Sequence, residues 1–253
     1  MLANIYFQDQ TYQIRLDQAI DISIPLQEGL QTVNAFYAPP LQIEPVRAGD
    51  FVGDMKQGGL LNFKNVQLNP HGNGTHTECV GHISPSGETI NQALKQFFFL
   101  AELISIYPQR MENGDRVILK EQIVTALKDK KIPQALVIRT LPNDDFKLRT
   151  HYSGANPPYL HHEATQWIVE QGINHLLLDL PSVDREQDEG KLLSHKAFWQ
   201  YPENTRHHAT ITEMIYVRNE VKDGMYFLNL QITSLELDAS PSKPVLFKVL
   251  KSS

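Results

Sequence analysis

Two short apolar runs on either side of one amphipathic stretch set the strongest limit on what this chain can fold into. Residues 134–140 hold Ala135, Leu136, Val137 and Ile138 in a row, and residues 176–180 hold Leu176, Leu177 and Leu178. Runs this short and this apolar read as strands buried on both faces. Between them, Ala164, Trp167, Ile168 and Gln171 recur at helical spacing over residues 161–171, and Gly172 stands where a helix-ending glycine belongs. Pro157 and Pro158 keep that helix from extending further back. Strand, helix, strand in this order predicts a crossover between two parallel strands.

Period-two alternation predicts further strands at 12–16 and 19–24. Strands are also expected at 211–217, 226–232 and 245–250, with Asp223-Gly224 as a hairpin turn. A second helix is expected at 121–130. The sum is a mixed α/β chain, rich in strand. No repeat or low-complexity linker divides it, so one domain over residues 1–253 is expected. Segments 67–82 and 181–210 have few apolar runs and most of the unusual polar residues, which suits loops that carry chemistry.

Bulk properties exclude several classes. Hydrophobic residues at 41% can build a core, which argues against disorder. A net charge of -6 argues against nucleic acid as a partner, because phosphate binding needs a dense basic surface. The basic run at Lys128, Lys130 and Lys131 reads as a solvated helix end. One cysteine, Cys79, allows neither an intrachain disulfide nor a thiolate-rich zinc site. The apolar stretch at 97–106 is broken by Glu102 and is too short to span a bilayer. The first residues lack a basic segment followed by an apolar run. A cytoplasmic protein with no membrane partner is expected.

The most informative segment is 70–82, which packs His71, His76, Glu78 and His82 together. Imidazole nitrogens and carboxylate oxygens are the ligands that suit zinc, manganese or iron. If residues 75–79 are extended, His76 and Glu78 share a face and can grip one ion. Gly72 and Gly74 let the backbone turn sharply, which brings His71 within reach. Histidine-rich loops also occur as solvated turns, so the segment by itself leaves both readings open.

Gly74-Thr75-His76, the acidic residue at 78 and the histidine at 82 resemble the His-x-Gly-Thr-His-x-Asp-x-Pro-x-His signature of the cyclase family, which includes kynurenine formamidase. The likeness continues through Arg139-Thr140, Tyr152 to Pro158, Trp167, the run from Asp179 to Asp184, His195 and Glu213. It spans nearly the whole chain. The resemblance implies a strand-rich α/β single domain of the swivelling β/β/α type. It also implies a divalent metal, zinc or manganese, as one or two ions. On that pattern His76 and Glu78 are ligands, Glu78 bridges to a second ion held by His195 and Glu213, and His82 is the catalytic histidine; His71 is the candidate to stand in for the family's first ligand. A homo-oligomer, dimer or tetramer, is implied as well.

Three positions depart from the pattern. The place of the first histidine is Gly72, with His71 one residue earlier; the aspartate is Glu78; the proline is Val80. His207 and His208 lie between His195 and Glu213 and offer themselves as alternatives to His195. Glu213 falls in an alternating strand run, where a carboxylate is costly unless paired or metal-bound. Asp179 and Asp184 are candidates to orient histidines or simply to stabilise a turn. Cys79 reads as small and buried on the face opposite His76 and Glu78. Trp167 reads as helix core, and Phe36, Tyr37 and Trp199 as candidate pocket linings.

The expected function is a metal-dependent hydrolase of a small formamide, amide or lactam, with activated water as nucleophile and His82 as acid/base. The alternatives are a metal-free relative that binds a small molecule, and a lyase or dehydratase using the same residues. The expected partner is a small-molecule substrate.

Overall fold

The computed structural model describes residues 1–250 apart from Gln8. Among the described residues, a strand-rich α/β domain is built on a barrel-like sheet of seven strands. In chain order these are β1 (His76–Glu78), β2 (Phe98–Ile106), β3 (Ala135–Thr140), β4 (His175–Leu178), β5 (Thr210–Glu213), β6 (Gly224–Ile232) and β7 (Ala239–Leu250). Around the ring they run β7, β6, β2, β3, β4, β5, β1 and back to β7. Strands β2 to β5 are mutually parallel, and every other pairing is antiparallel. An N-terminal hairpin, Leu2–Phe7 with Gln10–Arg15, extends the far end of β7.

Each parallel step carries one helix: α1 (Lys120–Ala126), α2 (His162–Glu170) and α3 (Leu193–Trp199). The crossover read from residues 134–180 is therefore present, with Ala135 paired to His175 across β3 and β4. The parallel strands are buried on both faces, as their unbroken apolar runs demand. Leu136, Ile138, Leu176, Leu178 and Ile211 pack outward against Ile123, Ile168 and Phe198 of the helices. Ala135, Val137 and Leu177 pack inward with Leu103 and Leu228. Burying one such aliphatic side chain contributes about 1.5–3 kcal/mol.

Several expectations are revised. The strand read at 211–217 stops at Glu213, because Met214 adopts φ 51° and turns the chain out of the sheet. Asp223-Gly224 is therefore no hairpin turn; β6 pairs with β2 and β7, and the Asp223 carboxylate accepts bonds from Ser105 and Arg139. Of 19–24, Ile20–Asp21 forms strand and pairs with β7. The helix read at 121–130 ends at Ala126. The run at 97–106 is the strand β2, and its Glu102 is buried against Lys130 at 2.6 Å. Lys130 thus belongs to a packed ion pair, and Lys131 lies over the rings of Phe7 and Tyr12. No helix among the described residues is long and apolar enough to cross a membrane.

Candidate metal centre

Strand β1 closes the barrel between β5 and β7, and its pleat sorts its side chains. Thr77 points inward, where its hydroxyl meets that of Thr212 at 2.8 Å, and Cys79 joins the inner core. His76 and Glu78 alternate with them and face outward, toward α3. Register places Glu213 opposite His76 and Ala239 opposite Glu78, so β5 and β7 deliver further carboxylates to the same place.

The loop before β1 explains where the first histidine comes from. A Cβ on Gly72 would lie 2.2 Å from the Ala38 Cβ and 2.9 Å from the Ala35 carbonyl oxygen. No side chain fits there, so the imidazole enters from residue 71 instead. Asn69 holds the turn by accepting the Gly72 N–H at 3.0 Å.

Eight side chains meet on this outer face. His71 Nδ1 lies 3.2 Å from Glu78 Oε2, and His76 Nε2 lies 3.4 Å from Glu213 Oε2. His195 Nε2 lies 3.2 Å from Glu78 Oε1 and 3.9 Å from Glu213 Oε1. His82 Nδ1 stands 3.8 Å from Glu78 Oε2 and 3.3 Å from Asp238 Oδ2. His71 Nε2 donates to Asp238 Oδ2 at 2.8 Å. His195 Nδ1 donates to Asp184 Oδ2 at 2.6 Å, and the His195 ring stacks on Trp199. Glu78 thus sits between one group, His71 with His76, and another, His82 with His195.

Burial decides the electrostatics. Glu78, Glu213, His76 and His195 are almost wholly buried, whereas the His82 side chain is 32% exposed at the rim. Burial raises the Glu213 carboxyl above its usual range, and the neighbouring Glu78 charge adds to that effect. Burial opposes charge on Glu78 as well, yet His82 and His195 hold it well below the carboxylate range. Burial works against charge on His71, but the Asp238 and Glu78 carboxylates beside it overcome that and raise its pKa to about 10. His195 is likewise raised to about 10, against burial, by Asp184 and Glu78. Hydrogen bonds from His71 and His82 keep the Asp238 carboxyl well below its ordinary value. The cluster therefore draws positive charge inward.

Of the four buried side-chain atoms left without a hydrogen-bond partner among the described residues, two belong to this cluster: His76 Nε2 and Glu78 Oε2. His76 Nδ1 is already engaged, 3.0 Å from the Gly74 carbonyl, so Nε2 alone faces the cluster. Unpaired imidazole and carboxylate atoms directed into one buried space, among further imidazoles and carboxylates, are a donor set that suits a divalent metal.

The structure brings His71, His76, Glu78, His82, His195 and Glu213 together. It keeps His207 and His208 away: His207 pairs with Glu88 at 2.7 Å and His208 contacts Asn174, near the opposite ends of the parallel strands. His195 alone of the three joins the cluster. Asp179 accepts bonds from Thr140 and Lys147 and orients no histidine, whereas Asp184 does. Trp167 packs against the outer core, Trp199 backs His195, and Tyr37 is 77% exposed. Phe36 lines a small cavity with Tyr152 and Asp184. Asp238 escapes a reading of the sequence, since it lies outside every motif and reaches the site only through the pairing of β7 with β1.

A barrel whose outer face gathers imidazoles and carboxylates beside a crossover helix defines a candidate metalloenzyme scaffold. The family model described as Putative cyclase matches residues 20–185, and the chain belongs to that family. No curated protein matches the sequence. Among solved structures, a potential metal-dependent hydrolase with cyclase activity superposes with a TM-score of 0.64 at 18% identity, over 91% of this chain and 98% of that one. Isatin hydrolase A from Labrenzia aggregata gives 0.68 at 14% identity, over 91% and 93%. Isatin hydrolase A from Ralstonia solanacearum gives 0.66 at 14%, over 91% of each chain. These likenesses establish the fold.

Proposed function

We propose that this chain is a metal-dependent hydrolase that cleaves the C–N bond of a small formamide, amide or lactam. One observation carries the reading: the buried, unpartnered His76 Nε2 and Glu78 Oε2 within a cluster of four imidazoles and four carboxylates. Each unpaired buried atom costs about 1–3 kcal/mol, which a bound cation offsets. Membership of the cyclase family and a fold shared with isatin hydrolases support hydrolysis.

His71, His76 and Glu78 would hold one ion, and Glu78, His195 and Glu213 a second. Zinc or manganese suits these donors. When bound, such an ion acidifies water toward a pKa of about 7 and polarises a carbonyl. The chain supplies the rest. Asp184 fixes the His195 tautomer, so that Nε2 faces Glu78. Trp199 blocks the far side of that ring. His82, at the solvent rim, would carry a proton to the leaving nitrogen.

The test is elemental analysis of protein purified without chelator, followed by mass spectrometry on formamides, lactams and hydroxy acids. Bound zinc or manganese with hydrolysed formamide or lactam is expected. Dehydrated hydroxy acid as the product would move the chain to the lyases. Protein that takes up neither metal would end the enzyme reading.

The same family resemblance suggests a dimer or tetramer. Exposed Phe51, Met55, Leu60, Leu61, Phe63 and Val66 support it, because a lone surface rarely shows so many apolar side chains in one segment. Sedimentation equilibrium checks it; a monomer at all concentrations would refute it.

A further inference from the structure

Asp238 touches both histidines that flank the open side of the cluster, and it does so through one atom. Its Oδ2 lies 2.8 Å from His71 Nε2 and 3.3 Å from His82 Nδ1. An ionised carboxylate only accepts hydrogen bonds, so both of those nitrogens must carry hydrogen. The consequence for each ring is fixed. A neutral His71 has its lone pair on Nδ1, the atom 3.2 Å from Glu78 Oε2. A neutral His82 has its lone pair on Nε2, which is then its proton-accepting atom.

Asp238 is itself held firmly. Its backbone carbonyl accepts the Cys79 N–H at 3.0 Å, and the next residue, Ala239, is paired with Glu78. Gly81 packs close by, since a Cβ there would lie 3.3 Å from the Asp238 Cβ. The carboxylate therefore moves with the strand that carries Glu78, not with a free loop.

We propose that Asp238 is a positioning residue that sets the tautomers of His71 and His82 together, presenting His71 Nδ1 to a metal and His82 Nε2 to the substrate. The role of His71 rests on the metal-dependent reading above; the His82 tautomer does not. The shift of the first histidine to position 71 makes the partner useful. A ring entering from a different backbone position turns Nδ1 toward the cluster, and a carboxylate on Nε2 then fixes that orientation.

The experiment compares wild type with Asp238→Ala and Asp238→Asn by two readouts. Zinc affinity is measured by competition with a chromophoric chelator, and imidazole tautomers by long-range 1H–15N correlation spectra at pH 9, with and without zinc. In wild type, His82 is expected as the Nδ1–H tautomer in both samples, and zinc-loaded His71 as Nδ1-bound with hydrogen on Nε2. Asp238→Ala is expected to weaken zinc about 10–100-fold and to abolish the single His82 tautomer. Asp238→Asn keeps an accepting oxygen and is expected to restore the tautomers and most of the affinity. Unchanged spectra and affinity in Asp238→Ala would overturn the proposal. So would an Asp238→Asn variant as impaired as the alanine one, since lost charge or ligation would then explain both. Wild type that binds neither zinc nor manganese but shows the fixed His82 tautomer would sink the metalloenzyme reading and leave the His82 half of this one standing.

Discussion

His195 and Asp184 are joined twice, the carboxylate taking Nδ1–H of the ring at 2.6 Å and the His195 backbone N–H at 3.2 Å, and the same carboxylate takes the N–H of the adjoining Ser194 at 2.7 Å. One aspartate thus caps the first turn of α3 and aims the imidazole that this turn carries. Asp184→Ala is expected to free the ring and weaken zinc binding about 10–100-fold while leaving the fold intact. Chelator competition and circular dichroism measure the two parts separately. Full zinc affinity in the variant would show that the ring needs no such support.

His76 Nε2 is buried in the cluster without a hydrogen-bond partner. Zinc at about 100 times its dissociation constant should stabilise wild type by about 2.7 kcal/mol, seen as a raised Tm. His76→Ala should show almost no zinc-induced shift. His82→Ala should keep the shift and lose turnover. Equal shifts in wild type and His76→Ala would remove His76 from the ligand set.

Gly72 is a steric requirement of the loop that carries His71. Gly72→Ala puts a methyl 2.2 Å from the Ala38 Cβ and 2.9 Å from the Ala35 carbonyl oxygen. A destabilisation of about 1–3 kcal/mol is expected. Chemical denaturation measures it, and a neutral result would mean that the loop relaxes freely.

Cys79 is fully buried inside the barrel, and that burial raises its thiol pKa to about 12. A disulfide reagent should leave the native protein untouched at pH 8 and titrate one thiol after denaturation. Fast reaction in the native state would contradict the placement.

His175 is buried against Phe99 with Nδ1 bonded to Thr210. Burial, with nearby His208 and Arg206, lowers its pKa to about 3. The unfolded chain takes up this proton below pH ~6.5, whereas the folded chain resists until about 3. Stability from this group is therefore complete above ~6.5 and is lost as pH falls toward 3. The loss should reach roughly 2 kcal/mol between pH 6.5 and 5. Urea unfolding at both pH values should show a smaller acid loss in His175→Asn. An identical loss in the two proteins would mean that His175 is not the titrating group.

Much of the site was legible because its residues are local or sit in patterned runs. His71, His76, Glu78 and His82 lie within one short segment, and alternation along β1 separates His76 and Glu78 from Cys79. His195 and Glu213 came from resemblance, and only Glu213 had a physical signal, a carboxylate inside a strand run. Asp238 gave none. It follows an ordinary polar stretch, and its two imidazole partners are more than 150 residues away in sequence. The strand β2 was missed because Glu102 interrupts its apolar run, and the compensating Lys130 lies in another element.

By itself, then, the sequence determined the things that depend on near neighbours: the parallel crossover through α2, the inward thiol, and a short segment that gathers three histidines and a glutamate. Periodicity and steric limits act over a few residues, so they can be read along a line. The tertiary structure decided that β1 closes the barrel between β5 and β7, that His195 joins the cluster while His207 and His208 do not, and that Asp238 holds two imidazoles at once. Those outcomes depend on strand pairing across long stretches of chain, where the energy lies in closing the sheet and not in any local preference.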